Sequence, residues 1–277
     1  PHGVLAVTFT NKASKEMTAR LSALVPINTR GMWIGTFHGL CNRLLRAHYR
    51  EAGLPQTFQI LDSGDQLSMV KRLLKNLNID DEKFPPRELC HFINANKEQG
   101  IRAAQAEAYD GYTQKRVELY AEYETQCNRE GVVDFAELLL RCYELLNRNE
   151  PLCKHYQERF RYILVDEFQD TNRLQYSWLQ LLAGGGAKVF AVGDDDQSIY
   201  GFRGAEVGNM RDFERDYAGQ NVIRLEQNYR SHGNILAAAN ALIKNNRERL
   251  GKNLWTDAGD GEPIRAYEAY SDIDEAR

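Results

Sequence analysis

Ile163-Leu164-Val165-Asp166-Glu167-Phe168-Gln169-Asp170 is the stretch whose reading decides the fold. It opens short, apolar and β-branched, as a strand buried in a parallel sheet does, and then stops abruptly on carboxylates. Val189-Phe190-Ala191-Val192-Gly193-Asp194-Asp195-Asp196-Gln197 repeats the pattern. In an open parallel sheet, ligands collect beyond the carboxyl ends of the strands, so both acidic groups are expected on one ligand-bearing edge. Hard carboxylate oxygens there suit Mg²⁺, and the phosphates of ATP are the partner such a metal accompanies.

Upstream, Val4 to Thr8 reads as a buried strand. Thr10 or Asn11 is placed to cap a helix whose Ala13, Met17, Leu21 and Leu24 fall at helical spacing. Met32 to Gly35 is a second short strand, followed by a helix through Leu40, Leu44 and Leu45 with Arg43, Arg46 and Arg50 on its polar side. From there to about Phe160 the periodicity is mainly helical. Leu67, Val70, Leu74 and Leu77 form one face, and Pro85-Pro86 punctuates the chain before Leu89, Phe92 and Ile93. Gly131 ends a helix running from Val117 to Cys127, and Asp134 with Glu137 has capping-box spacing for a helix through Leu138, Leu139 and Leu145. This reads as a helical subdomain inserted between strands of an α/β sheet.

Downstream of Tyr162 to Val165, a crossover helix around Leu174 to Leu182 leads to a strand at Lys188 to Val192, joined by the flexible run Gly184-Gly185-Gly186. Val222 to Leu225 is a further candidate strand. Ser231 is a candidate N-cap for a helix using Ile235, Ala238, Ala239 and Leu242, and the chain after Gly251 is irregular.

A chain of 277 residues with 43% hydrophobic and 27% charged residues has ordinary globular composition, which argues against intrinsic disorder. Its net charge of -4 does not advertise a nucleic-acid binder, although a local groove can be basic on an acidic protein. The five cysteines form no C-x-x-C pair, so neither a zinc cluster nor a disulfide scaffold is indicated and a reducing cytoplasmic setting is the simpler expectation. No run approaches a membrane span. Pro1, in place of an initiator Met immediately before a strand, leads us to expect an excised or incomplete chain.

The chemistry suggests distinct roles. Asp166 is the candidate metal ligand and Glu167 the candidate base for a water molecule. Gln197 is placed to hydrogen-bond the attacking water or a terminal phosphate, and the Arg230 guanidinium to clamp phosphate oxygens. The plainer readings are surface acids at a loop start, a solvated acidic turn for Asp194 to Asp196, and a surface ion pair of Arg230 with Glu226.

Taken in order, Val7-Thr8-Phe9-Thr10-Asn11-Lys12-Ala13, Gly35-Thr36-Phe37-His38-Gly39, VDEFQDTN at 165 to 172, GDDDQSIYGFRGA at 193 to 205 and LEQNYRS at 225 to 231 closely resemble the UvrD/Rep/PcrA family of superfamily 1 DNA helicases. The resemblance implies a RecA-like P-loop NTPase motor domain, incomplete, at 1–37 and 160–225. It places an inserted helical subdomain at 38–159 and the beginning of a second motor domain at 226–277. It implies ATP and Mg²⁺ as cofactors, with the metal on Asp166, water activation by Glu167, phosphate sensing by Gln197 and terminal-phosphate contact by Arg230. For DNA it points to Thr8, Phe9, Asn11, His38, Tyr200, Phe202 and Arg203. The implied activity is 3′-to-5′ translocation on single-stranded DNA, with single-strand/duplex junctions and DNA-repair proteins as partners and roles in repair or replication. Phe202 departs from the Trp common in relatives, which predicts weaker or altered base stacking.

No G-x-x-x-x-G-K-[ST] run is present, and the resemblance places such a loop a few dozen residues ahead of Val4. The later carboxyl-terminal motifs are also missing. The expectation is that the isolated chain has little or no ATPase or helicase activity, whereas its full-length parent is an ATP-dependent motor. A non-catalytic DNA-binding or assembly module is the alternative reading, and the motor part of a helicase-nuclease subunit a more remote one.

Overall fold

In the computed structural model of the chain, Val4–Thr8 forms strand β1 and Thr10 caps helix α1, Asn11–Leu24, by accepting from the Ala13 amide. The structure describes residues 2–25, 28–201, 204–206, 208–219, 221–246 and 249–276. Strand β2, Trp33–Thr36, runs directly into α2, Phe37–Ala47, because the Thr36 hydroxyl caps the first turn through the Gly39 amide. The helical segment that follows holds α3 (Ser63–Asn76), α4 (Pro86–Glu98), α5 (Gly111–Glu130), α6 (Phe135–Arg148) and α7 (Glu150–Arg159). It also contains a short parallel pair, β3 (Gln59–Ile60) with β4 (Val132–Val133), which lies within a region read from periodicity as mainly helical. Two-residue strands are too short to show a period. The chain then continues through β5 (Tyr162–Val165), α8 (Arg173–Ala183) and β6 (Lys188–Ala191).

The four longer strands form one all-parallel sheet in the order β2-β1-β5-β6. Ile163 and Val165 are fully buried or nearly so, together with Leu5 and Val7 of β1. The expectation of strands buried on both faces is corrected: Tyr162, Leu164 and Phe190 are exposed, because alternate side chains of β5 and β6 point to a face that the described residues leave uncovered there. Helix α1 likewise buries none of its residues, and Leu24 stands 80% exposed.

On the covered side, α2 packs on α6, and α6 packs on α8 and α4. Beyond that layer the helical segment has its own core, built from Met69, Val70, Leu73 and Leu74 of α3, Leu89 and Ile93 of α4, and Leu119, Tyr120 and Tyr123 of α5. The buried face of α3 is thus Gln66, Met69, Val70, Leu73 and Leu74, whereas Leu77 is partly exposed. Gly131 ends α5 at φ +66°, a left-handed cap, where a Cβ would lie 2.7 Å from Pro55 Cγ.

Asp134 caps α6 through the Glu137 amide, but the expected reciprocal half of the capping box does not form. Glu137 turns instead to Lys97 (3.0 Å), Arg102 (2.7 Å) and Arg141 (2.6 Å). Lys97, only 1% exposed, also meets Asp134 at 2.7 Å, and Tyr123 donates to the same carboxylate oxygen. Both buried acids are therefore matched by cations or donors, which is the condition for keeping charge out of water.

The described chain divides into two compact units, Pro1–Asp212 and Phe213–Arg277. After a short helix α9 (Gly208–Phe213) and a π-helical turn (Glu214–Ala218), the second unit contains α10, Gly233–Ile243. Its cap position is His232 rather than Ser231, without a side-chain cap bond. The strand expected at Val222 to Leu225 does not form. That segment has no pairing neighbour, and Ile223 and Leu225 are about four-fifths exposed at 82% and 80%. The nearest β contact is a single bridge, Gln227 to Trp255.

Candidate nucleotide and DNA site

Beyond the last paired residues of β1 and β5, the Asp166 amide still donates to Val7 O at 2.9 Å. The sheet therefore holds Asp166 at its carboxyl edge. Burial first, and then the adjacent Glu167, push the Asp166 carboxyl above its usual range. Glu167 sits at φ +51°, one of two described non-glycine residues in the left-handed region. Such a conformation costs energy and persists only where neighbours over-determine it.

The determining neighbour is Gln169, 1% exposed. Its Nε2 donates to Glu167 Oε2 at 2.9 Å while its Oε1 accepts from the Asp194 amide at 2.9 Å. Asp194 in turn takes a hydrogen bond from Gln197 Nε2 at 2.6 Å, and Ser198 Oγ donates to the Gln169 carbonyl. The structure thus brings the two acid-bearing loops together through one buried amide. Residue-type reasoning singled out Glu167 and Gln197 but missed Gln169, although it lies inside the deciding stretch; a glutamine between two acidic positions gives no sign that it will be buried.

The carboxylate oxygens of Asp194, Asp195 and Asp196 lie within 4.8 Å of one another. Carboxylate oxygens are the donors a hard divalent ion takes, and Asp166 and Glu167 are not part of this group among the described residues.

Four of the residues singled out for DNA contact approach the surface: Phe9, Asn11, His38 and Tyr200. Phe9 and Tyr200, both half-buried, stack with ring centroids 5.6 Å apart and planes 24° from parallel. Asn11 is exposed on the first turn of α1. His38 lies in the first turn of α2, edge-on to Phe135, and burial lowers its pKa so that the neutral imidazole is favoured. Thr8 does not reach the surface: it is 0% exposed and its hydroxyl donates to Thr10 O. As placed it shapes the turn carrying Phe9. Phe202 and Arg203 lie outside the described residues.

Arg230 belongs to the second unit, where it is exposed and its amide donates to Asn228 Oδ1. The plain alternative of a helical ion pair with Glu226 is not realised, because the segment is not helical and Glu226 Oε1 accepts from the Asn253 amide.

The sequence matches the family model for the UvrD/REP helicase N-terminal domain over residues 1–218 and that for the UvrD-like helicase C-terminal domain over 223–277. The chain belongs to the UvrD/REP helicase family. It is 55% identical to DNA helicase II of Escherichia coli K12 over 278 aligned residues, covering 100% of this chain and 39% of that protein. DNA helicase II of Salmonella typhimurium LT2 shows the same identity and coverage. The ATP-dependent DNA helicase PcrA of Staphylococcus aureus Mu50 is 45% identical across 100% of this chain and 38% of its own length. This UvrD/REP chain thus spans about two-fifths of these relatives, and its parallel sheet is the RecA-like P-loop fold of the family.

Proposed function

We propose that the full-length protein carrying this chain is an ATP-dependent 3′-to-5′ single-stranded DNA translocase and helicase of repair or replication, and that the 277 residues alone hydrolyse little or no ATP. The observation that carries this reading is the hydrogen-bonded run from Glu167 through Gln169 to Asp194 and Gln197. It enters the same loop whose Tyr200 stacks on Phe9. A nucleotide edge and an aromatic strand track then share one short, buried linkage, as a motor that converts hydrolysis into movement requires.

In this reading Asp166 would hold Mg²⁺, which would neutralise the charge developing on the phosphates of the ATP substrate. Glu167, held in its left-handed conformation, accepts the proton of the attacking water. Gln197 orients that water or the terminal phosphate, and Arg230 contacts the phosphate. Phe9 and Tyr200 stack on bases without reading sequence, and Asn11 and His38 hold the strand. The domain assignment that goes with it is a first motor domain at 1–37 and 160–225, a helical insertion at 38–159 and the start of a second motor domain at 226–277. The 39% coverage of DNA helicase II and the lack of a G-x-x-x-x-G-K-[ST] run among these residues support inactivity of the chain on its own.

The test is unwinding of duplexes with a 3′ or a 5′ single-stranded tail by the full-length protein, with and without ATP. ATP-dependent opening of the 3′-tailed substrate alone is expected. Preference for the 5′ tail, or opening without ATP, would refute the reading.

A further inference from the structure

The loop that leaves β6 carries Gln197 and Tyr200, and it is tied to the turn after β5 at two places. Its near end is held by Gln169, whose Oε1 accepts from the Asp194 amide. Its far end is held by Asn209, which residue-type reasoning did not single out. Thr171 O accepts from the Glu206 amide at 3.0 Å and from Asn209 Nδ2 at 2.9 Å, and the same nitrogen lies 3.2 Å from Thr171 Oγ1. Asn172 and Ala205 form an antiparallel bridge alongside, and the Ala205 amide donates to Tyr200 O at 3.2 Å. The whole clamp lies within the first compact unit.

Asn209 is 3% exposed and Thr171 1%. A polar side chain is kept out of water at that depth only where its hydrogen bonds are made. The orientation of the Asn209 amide follows from its partner, since a backbone carbonyl accepts and never donates. The Thr171 hydroxyl gives its own proton to Phe168 O at 2.7 Å and therefore accepts from Asn209. Asn209 thus spends its amide nitrogen on a single residue.

That residue closes the turn Phe168–Asp170, because the Thr171 amide also donates to Phe168 O, at 3.1 Å. Gln197 and Tyr200 accordingly sit on a loop pinned at both ends to the turn that follows Glu167. A segment fixed at both ends has fewer arrangements than one fixed at a single end, so a displacement at Gln197 reaches Tyr200 rather than being lost in a free arm.

Building on the DNA-motor reading, we propose that Asn209 is a positioning residue of the motor: through Thr171 it closes the far end of this loop and makes hydrolysis at the nucleotide edge responsive to a strand at Tyr200. In this assignment it touches neither nucleotide nor DNA.

ATP hydrolysis by the full-length protein is measured without DNA and with saturating oligo(dT), in the parent and in Asn209→Ala, with the melting temperature of each. The readout is the ratio of the two rates, because a purely structural loss lowers both and leaves their ratio unchanged. In Asn209→Ala the DNA-free rate is expected to stay at the parental level while the stimulation ratio falls about fivefold or more, the size of a coupling carried by one net hydrogen bond. Thr171→Val, close to the parent in size, removes the hydroxyl but keeps the carbonyl, and lowers the ratio by less. A parental ratio in Asn209→Ala, or in Thr171→Val if the first variant does not fold, would overturn the inference and leave the motor reading intact. A parent whose hydrolysis DNA does not stimulate would remove both.

Discussion

Gln169 holds Glu167 by a hydrogen bond of 2.9 Å from Nε2 to Oε2, and the same amide's oxygen takes the Asp194 backbone N–H. One buried side chain therefore sets the orientation of the candidate base and the path of the neighbouring acidic loop. Gly193 closes the arrangement, since a Cβ there would come within 2.9 Å of Gln169 Oε1.

Replacing Gln169 with Leu keeps the volume but removes the acceptor of the half-buried Asp194 N–H. The expected loss of stability is about 1–3 kcal/mol, measured by urea unfolding of the chain. In the full-length protein, kcat for DNA-stimulated ATP hydrolysis should fall about tenfold or more with little change in KM, because a general base acts only from its positioned geometry. An unchanged kcat would separate Gln169 from catalysis.

Lys97 lies between Asp134 and Glu137 with 1% of its surface exposed, so Lys97→Met leaves the buried Asp134 without a cation and Glu137 with Arg102 and Arg141 alone. A loss of about 3–5 kcal/mol is expected in denaturant unfolding. The pH dependence has a definite sign. Against the cost of burial, Lys97, Arg102 and Arg141 depress the Glu137 pKa, so its contribution is present above the unfolded value of about 4.3 and is lost as pH falls toward the lower folded value. Parent and Lys97→Met stabilities should therefore converge as the solution is acidified below about pH 4.

Glu98 shows the opposite sign. Burial first, and then the charge of Asp134, raise its pKa to about 7, so the folded state binds a proton that the unfolded chain has released above about 4.3. Its ionisation weakens the fold as pH rises through that interval. Glu98→Gln should match the parent near pH 4 and exceed its melting temperature at pH 8, with the difference opening between these values. A constant difference across the range would argue against the shifted carboxyl.

The Phe9-Tyr200 stack predicts the effect of Tyr200→Ala on strand affinity. Loss of one base-stacking surface is worth about 1–3 kcal/mol, or roughly 5- to 150-fold in Kd for single-stranded DNA. Fluorescence titration of the full-length variant reads it directly, with the melting temperature as a check on folding. Unaltered affinity would remove Tyr200 from the strand track.

Local chemistry was legible in the residues themselves. Apolar runs ending on acids marked β5 and β6, Thr10 and Asp134 announced helix starts, Gly131 announced a helix end, and the ordered motifs pointed to the family. These signals act over a few residues, through backbone sterics, capping hydrogen bonds and the period of side-chain burial. Pairing across the fold decided the rest. Val222 to Leu225 has strand composition but no strand beside it, and the β3-β4 pair forms from two-residue pieces more than 70 positions apart. Glu137 abandons its capping partner for three cations, and Glu98 meets Asp170 across one cleft. A hydrogen bond, an ion pair or a buried edge is a property of two groups, and only the folded chain determines which second group each residue finds.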